Sequence, residues 1–246
     1  MRRIPLALSL VALLSLSACG TEDTTQQPAE TVTARAAPTK EEKPSPSPAP
    51  VKESPAATED ASEELADGIV IREAGVGQEG EYARAVALVE TRGYVGEFLT
   101  VHFNVFDADD ELIASGEQVE VIASEAGTFA VGTMVDVGAA RAARVEATHA
   151  ISDYGMGGKA LPTIEPAPVT LGDYGLATIR LTNPTSEPWE NLRIGIVCRN
   201  AEGAIVGGGD SYPSLVPANA ESMADGYVIA GDGVTECTAY PQHTTW

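Results

Sequence analysis

Residues Ile71–Glu117 and Ile164–Asp210 carry the same succession of apolar, polar and turn-forming side chains at a shift of 93 positions. An internal repeat constrains the fold more than any other feature, because both copies must then build the same unit. The shift places Ile71 on Ile164, Ala74 on Ala167, Val76 on Val169, Leu88 on Leu181, Leu99 on Leu192 and Gly116 on Gly209. It also matches apolar classes, with Val86 on Ile179, Val101 on Ile194, Phe103 on Ile196 and Val105 on Cys198. No gap is needed across that stretch.

Both copies alternate with period two, the pattern of strands buried on one face. Leu99, Val101, Phe103 and Val105 are expected to face inward, and Thr100, His102 and Asn104 outward. Leu192, Ile194, Ile196 and Cys198 repeat the inward row. Asp107–Glu111 and Asn200–Ala204 are rich in residues that tolerate turn geometry and predict hairpin connections. Further strands are predicted near 118–122, 128–135 and 144–151, and near 211–215, 221–229 and 235–240, with Ala139–Ala143 as a turn. Short strands at this spacing predict an all-β chain of two tandem β-sandwich domains, 67–155 and 156–246, divided at Gly155–Gly158.

Phe103-Asn104-Val105-Phe106-Asp107, followed by the aliphatic pair Leu112-Ile113, resembles the FxLYD family of small exported immunoglobulin-like domains. The second copy departs at Ile196-Val197-Cys198-Arg199-Asn200. It keeps Leu181-Thr182-Asn183-Pro184 and Trp189-Glu190-Asn191-Leu192, which resemble the same family. The resemblance covers roughly Asp67–Trp246 and implies an Ig-like sandwich on a bacterial surface. It supplies no catalytic residues, and a shared sandwich does not define an activity.

The N-terminus reads as a signal peptide over 1–18. Arg2 and Arg3 precede an apolar run from Ile4 to Leu14, too short to span a bilayer. Leu16-Ser17-Ala18-Cys19 resembles the lipobox of bacterial lipoproteins, which implies that Cys19 becomes the lipidated first residue, held in the membrane by a diacylglyceryl group. More than one acyl chain is needed for stable anchoring. Residues 19–66, with Pro28, Pro38, Pro44, Pro46, Pro48, Pro50 and Pro55 among Thr, Ser, Ala and Glu, have no face to bury and predict a disordered stalk. Loss of Arg2 and Arg3 with the signal takes the formal net charge from −21 to −23. Such a surface repels phosphate backbones and argues against nucleic acid as a partner.

With Cys19 assigned to lipid, Cys198 and Cys237 remain as an even pair in an oxidising compartment and predict one disulfide. A metal is the alternative for two thiols, but no His or further Cys lies at ligand spacing. Cys198 is expected on the inward face where the first copy has Val105, and Glu236-Cys237-Thr238 compares locally with Glu146-Ala147-Thr148. The pair therefore reads as a bridge across the core.

No catalytic, cofactor-binding or metal-binding residues are predicted. Gly209-Asp210-Ser211 has the letters of an esterase nucleophile block, but it lies in a β repeat without the Asp-x-x-His that should supply a base. A hairpin bend is expected there instead. Asp107, Asp109, Asp110 and Glu111 are oxygen donors in one turn and lack the glycine and distal glutamate of a calcium loop, so a solvated acidic turn is expected. Gly155–Ala160 lacks phosphate-loop spacing. His102, His149 and His243 share no ligand spacing, and Trp189, Tyr212 and Trp246 offer either a ligand patch or core caps. The expected protein is a membrane-anchored, extracytoplasmic, non-enzymatic binding or envelope-scaffold lipoprotein with an unidentified envelope partner. The alternatives are solute or metal capture for a transporter, in a cleft between the copies, or a surface hydrolase.

Overall fold

A computed structural model describes residues 68–152 and 154–244; the readings at Cys19, the stalk and Trp246 lie outside them. The alternating segments form β1 (Gly68–Glu79), β2 (Tyr82–Arg92), β3 (Phe98–Phe106), β4 (Leu112–Val121), β5 (Ala126–Asp136) and β6 (Arg144–Ser152) in the first copy. The second copy has β7 (Ala167–Leu171), β8 (Leu176–Asn183), β9 (Trp189–Glu190), β10 (Leu192–Asn200), β11 (Ile205–Ser211), β12 (Leu215–Val216), β13 (Ala220–Ala230) and β14 (Val234–His243). The chain is all-β. The residues near 118–122, expected to form a strand of their own, continue β4.

In the first copy two antiparallel sheets, β1-β2-β5 and β4-β3-β6, face each other across a core of Ala83, Ala85, Ala87, Val89, Leu99, Val101, Phe103 and Val105. The second copy uses the same strand order, with β7, β8 and β13 in place of β1, β2 and β5, and β11, β10 and β14 in place of β4, β3 and β6. Here the sheets are joined, because β11 also ladders with β13 and β7 with β14, so the six strands close. Ile179, Leu181, Leu192, Ile194 and Ile196 fill the interior.

One register in the repeat needs correction. Val86 and Leu88 point out of the first core, whereas Ile179 and Leu181, placed on them by the uniform shift, point into the second. The inward residues of β2 are Ala83, Ala85, Ala87 and Val89. The copies therefore slip by one residue in this strand. Matching apolar classes cannot detect the slip, because β2 is apolar on both faces and a one-residue shift exchanges them.

That double burial has a structural cause. The outer face of the β1-β2-β5 sheet packs on the outer face of β10, β11 and β14, with Val86, Leu88 and Ala130 against Val197, Ile205 and the partly buried Tyr240. Every residue of β2 from Ala85 to Val89, and of β10 from Leu192 to Cys198, is buried. The sheets approach closely because glycines meet at the contact. A Cβ on Gly195 would lie 2.7 Å from the Ala130 Cβ. Gly195→Ala is therefore expected to lower the unfolding free energy by about 1–3 kcal/mol, the cost of overpacking, as read by urea denaturation. An unchanged midpoint would show that β5 yields without cost.

The segment between β6 and β7 runs back over the first copy before entering the second. Met156 N donates to Gly96 O at 2.7 Å and Leu161 N to Ala123 O at 2.8 Å, and Ile164 is buried in the second core.

Candidate functional site

The junction between the copies holds the most enclosed charged groups among the described residues. Glu120, near the end of β4, and Arg193, on the outward row of β10, form an ion pair with Oε1–Nη1 at 2.7 Å, the side chains only 4 % and 5 % exposed. Gln242 of β14 donates to Glu120 Oε2 at 2.9 Å. Oε1 is near Arg193 yet makes no aligned hydrogen bond among the described residues, so charge rather than hydrogen bonding holds that oxygen. Burial is the main cause that raises the Glu120 carboxyl to about 7, and the Asp210 charge adds to it. Arg193 and hydrogen bonds from Gln118 and Gln242 oppose the rise.

Two more pairs cross the same contact. Arg84 of β2 bonds Asp210 of β11. Arg199 of β10 holds Glu73 of β1 through both nitrogens, at 2.5 and 3.1 Å, which strengthens the arginine's hold on its proton. Each pair has one member in each copy, so the charges fix how the two faces register while glycine and aliphatic packing supply the contact. Apart from Asp210, weighed only within Gly209-Asp210-Ser211, these residues escaped the sequence reading. The signal was present: Ala85–Val89 and Ile194–Cys198 lack polar side chains altogether, as strands buried on both faces do.

The predicted disulfide is present. Cys198 and Cys237 are bonded with their Cα atoms 4.1 Å apart, just short of the usual 4.4–6.8 Å. They are direct partners on neighbouring strands β10 and β14, close to the spacing of a non-hydrogen-bonded antiparallel pair. The bridge therefore ties strands within one sheet and does not cross the core. Its equivalent in the first copy is the pair Val105–Val145, so Cys237 corresponds to Val145, not Ala147.

The other singled-out residues are committed locally. Asp107 Oδ1 accepts from the backbone N of Asp109 and of Glu111, both at 2.9 Å, and Asp110 pairs with Arg144. Gly209-Asp210-Ser211 lies inside β11 rather than at a bend, and Ser211 Oγ donates to the Asp225 carbonyl at 2.6 Å. His102 is exposed, 3.3 Å from Glu117, and His149 is exposed. His243 is buried edge-on to Trp189, and burial lowers its pKa. Trp189 caps the second core, while Tyr212 is exposed, its Oη 3.4 Å from Arg193 Nε.

Two surface grooves flank this region. One of about 370 Å³ runs between the Pro162–Pro168 segment and β8, with Arg180, Pro184 and Trp189 in its wall. The other, about 320 Å³, is bounded by Asn191, Tyr212, Pro213 and Thr244 and reaches Arg193. Among the described residues no group of three or more His, Cys, Asp or Glu could hold a metal ion. No protein-family model matches the chain, and no curated protein matches it.

Proposed function

We propose that the chain is a lipid-anchored, extracytoplasmic lipoprotein whose two FxLYD-like copies act as one non-enzymatic binding or scaffold body. The junction carries this reading. Three ion pairs and a glycine-backed aliphatic contact join the copies into a unit with fixed geometry, which suits display of a surface better than closure around a reactant. The lipobox-like Leu16-Ser17-Ala18-Cys19 and the Pro-rich residues after it supply the means of presentation.

Capture of a solute between the copies draws no support from faces whose side chains fill the space between them. A hydrolase draws none from Ser211, whose hydroxyl is bonded to a backbone carbonyl within the fold.

The test is Cys19→Ser. The wild-type chain is expected in the membrane fraction with acyl mass on a mature N-terminus at Cys19, and the variant unprocessed or released. Membrane retention that persists in the variant, with no acyl mass on the wild type, would refute the anchor.

A further inference from the structure

The outer face of β8 and β13, with the 3-10 turn Asp173–Gly175 before it, presents large apolar side chains that are half or more exposed. Tyr174 is 89 % exposed, Leu176 59 % and Tyr227 50 %. Leu176 and Tyr227 are cross-strand partners, and Gly175 lies against the Tyr227 ring, where a Cβ would approach Cε2 to 3.2 Å. Leu176, Gly175 and Tyr227 therefore adjoin, and Tyr174 precedes them in the turn at the same end of the strands.

Tyr174 has φ +57°, a left-handed conformation that tyrosine adopts rarely. With Gly175, also at positive φ, it turns the chain from β7 into β8, where Gly172 N donates to Leu176 O at 2.8 Å, and the hairpin leaves its ring in solvent.

Three carboxylates rim the patch. Tyr227 Oη approaches Glu79 Oε2 at 3.5 Å, Asp173 lies in the turn, and Asp225 is two residues from Tyr227 on the same row of β13. None of these three carboxylates has an ion-pair partner among the described residues. The nearby arginines are already engaged, Arg84 with Asp210 and Arg180 with Glu221. Aromatic faces beside unpaired carboxylates attract cations, and the net charge of −21, or −23 after loss of the signal, draws them in. The same charge opposes a second copy of this chain.

Resting on the reading of the chain as a binding module, we propose that Tyr174, Leu176 and Tyr227, rimmed by Glu79, Asp173 and Asp225, dock a basic segment of a partner protein. Its Lys or Arg side chains would lie over the rings and between the carboxylates, and an apolar residue would seat on Leu176.

The test measures fluorescence anisotropy of a labelled peptide of alternating lysine and leucine, titrated with the mature full-length chain. The same peptide with glutamate for lysine is the control. Affinity is expected to fall about ten-fold in Tyr174→Ser/Tyr227→Ser and to stay unchanged in Tyr154→Ser, another exposed tyrosine. The glutamate peptide should not bind. If the double variant does not fold, Tyr174→Ser alone is read, with a loss of a few-fold expected. Equal affinity in the patch variants and wild type would overturn the proposal, as would a concentration-dependent dimer abolished by the patch variants. The acyl mass at Cys19 is measured separately, so failure at the patch leaves the anchored-module reading standing.

Discussion

Between pH 8 and pH 5 the wild-type chain is expected to gain up to about 3 kcal/mol of unfolding free energy from Glu120 alone, and Glu120→Gln is expected to lose that gain. The carboxyl titrates at about 7 in the folded chain against an ordinary 4.5, so across that window the folded state holds a proton that the unfolded state has released. Stability from this group is complete below about 4.5, declines as the pH rises to about 7 and is flat above. The gain is lost on ionisation because a charge must then be kept out of water, and its partial compensation by Arg193 does not cover the cost. Glutamine has the shape of the protonated acid but leaves Arg193 without its buried counter-charge, so the variant is expected to be less stable than the wild type at both pH values, and the pH dependence rather than the absolute stability reports on Glu120. His243 acts in the opposite sense: burial lowers its pKa, and stability from it is lost as the pH falls below its ordinary 6.5. His243 is present in both chains, so the wild-type-minus-variant difference isolates Glu120. Urea unfolding of both at pH 5 and pH 8 decides the matter, and equal pH dependence in the two would rule out the buried carboxylate as its source.

Reduction of Cys198–Cys237 is expected to cost about 2–5 kcal/mol, since the bridge closes a loop with a sequence separation of 39. Both sulfurs lie in the second core, with Cys198 fully buried and Cys237 6 % exposed. Val105–Val145 occupies the equivalent cross-strand site in the first copy, so a Cys198→Val/Cys237→Val chain should keep the fold and lose only the cross-link. The loss should not stay in one half. Val197 and Ile205 of the second copy pack on Val86, Leu88 and Ala130 of the first, and β10 carries the cysteine and the junction together. Near-ultraviolet signals from Trp189 in the second copy and Tyr82 in the first should therefore shift to lower urea in a single transition. Two separated transitions, with the first-copy signal unmoved, would show that the junction does not couple the halves.

The alternation of Leu99–Val105 and Leu192–Cys198 was sufficient to predict strands, their inward rows and the repeat, because period two is a local property of an extended chain. Turns at Asp107–Glu111 and Asn200–Ala204 were legible for the same reason: the side-chain oxygens of Asp107 and Asn200 accept backbone N–H groups two and four residues on and close them locally. The cysteine pairing followed from counting. What lay beyond the sequence was the covering of each outward face. His102 and Asn104 in β3 correspond to Gly195 and Val197 in β10; the first pair meets solvent and the second meets another sheet. That difference decided the register slip at Val86, the ion pairs at Glu120, Arg84 and Glu73, and the raised pKa of Glu120. Periodicity states that a strand has two faces, whereas packing between segments more than 100 residues apart, such as Glu73 and Arg199 at a separation of 126, determines what each face buries.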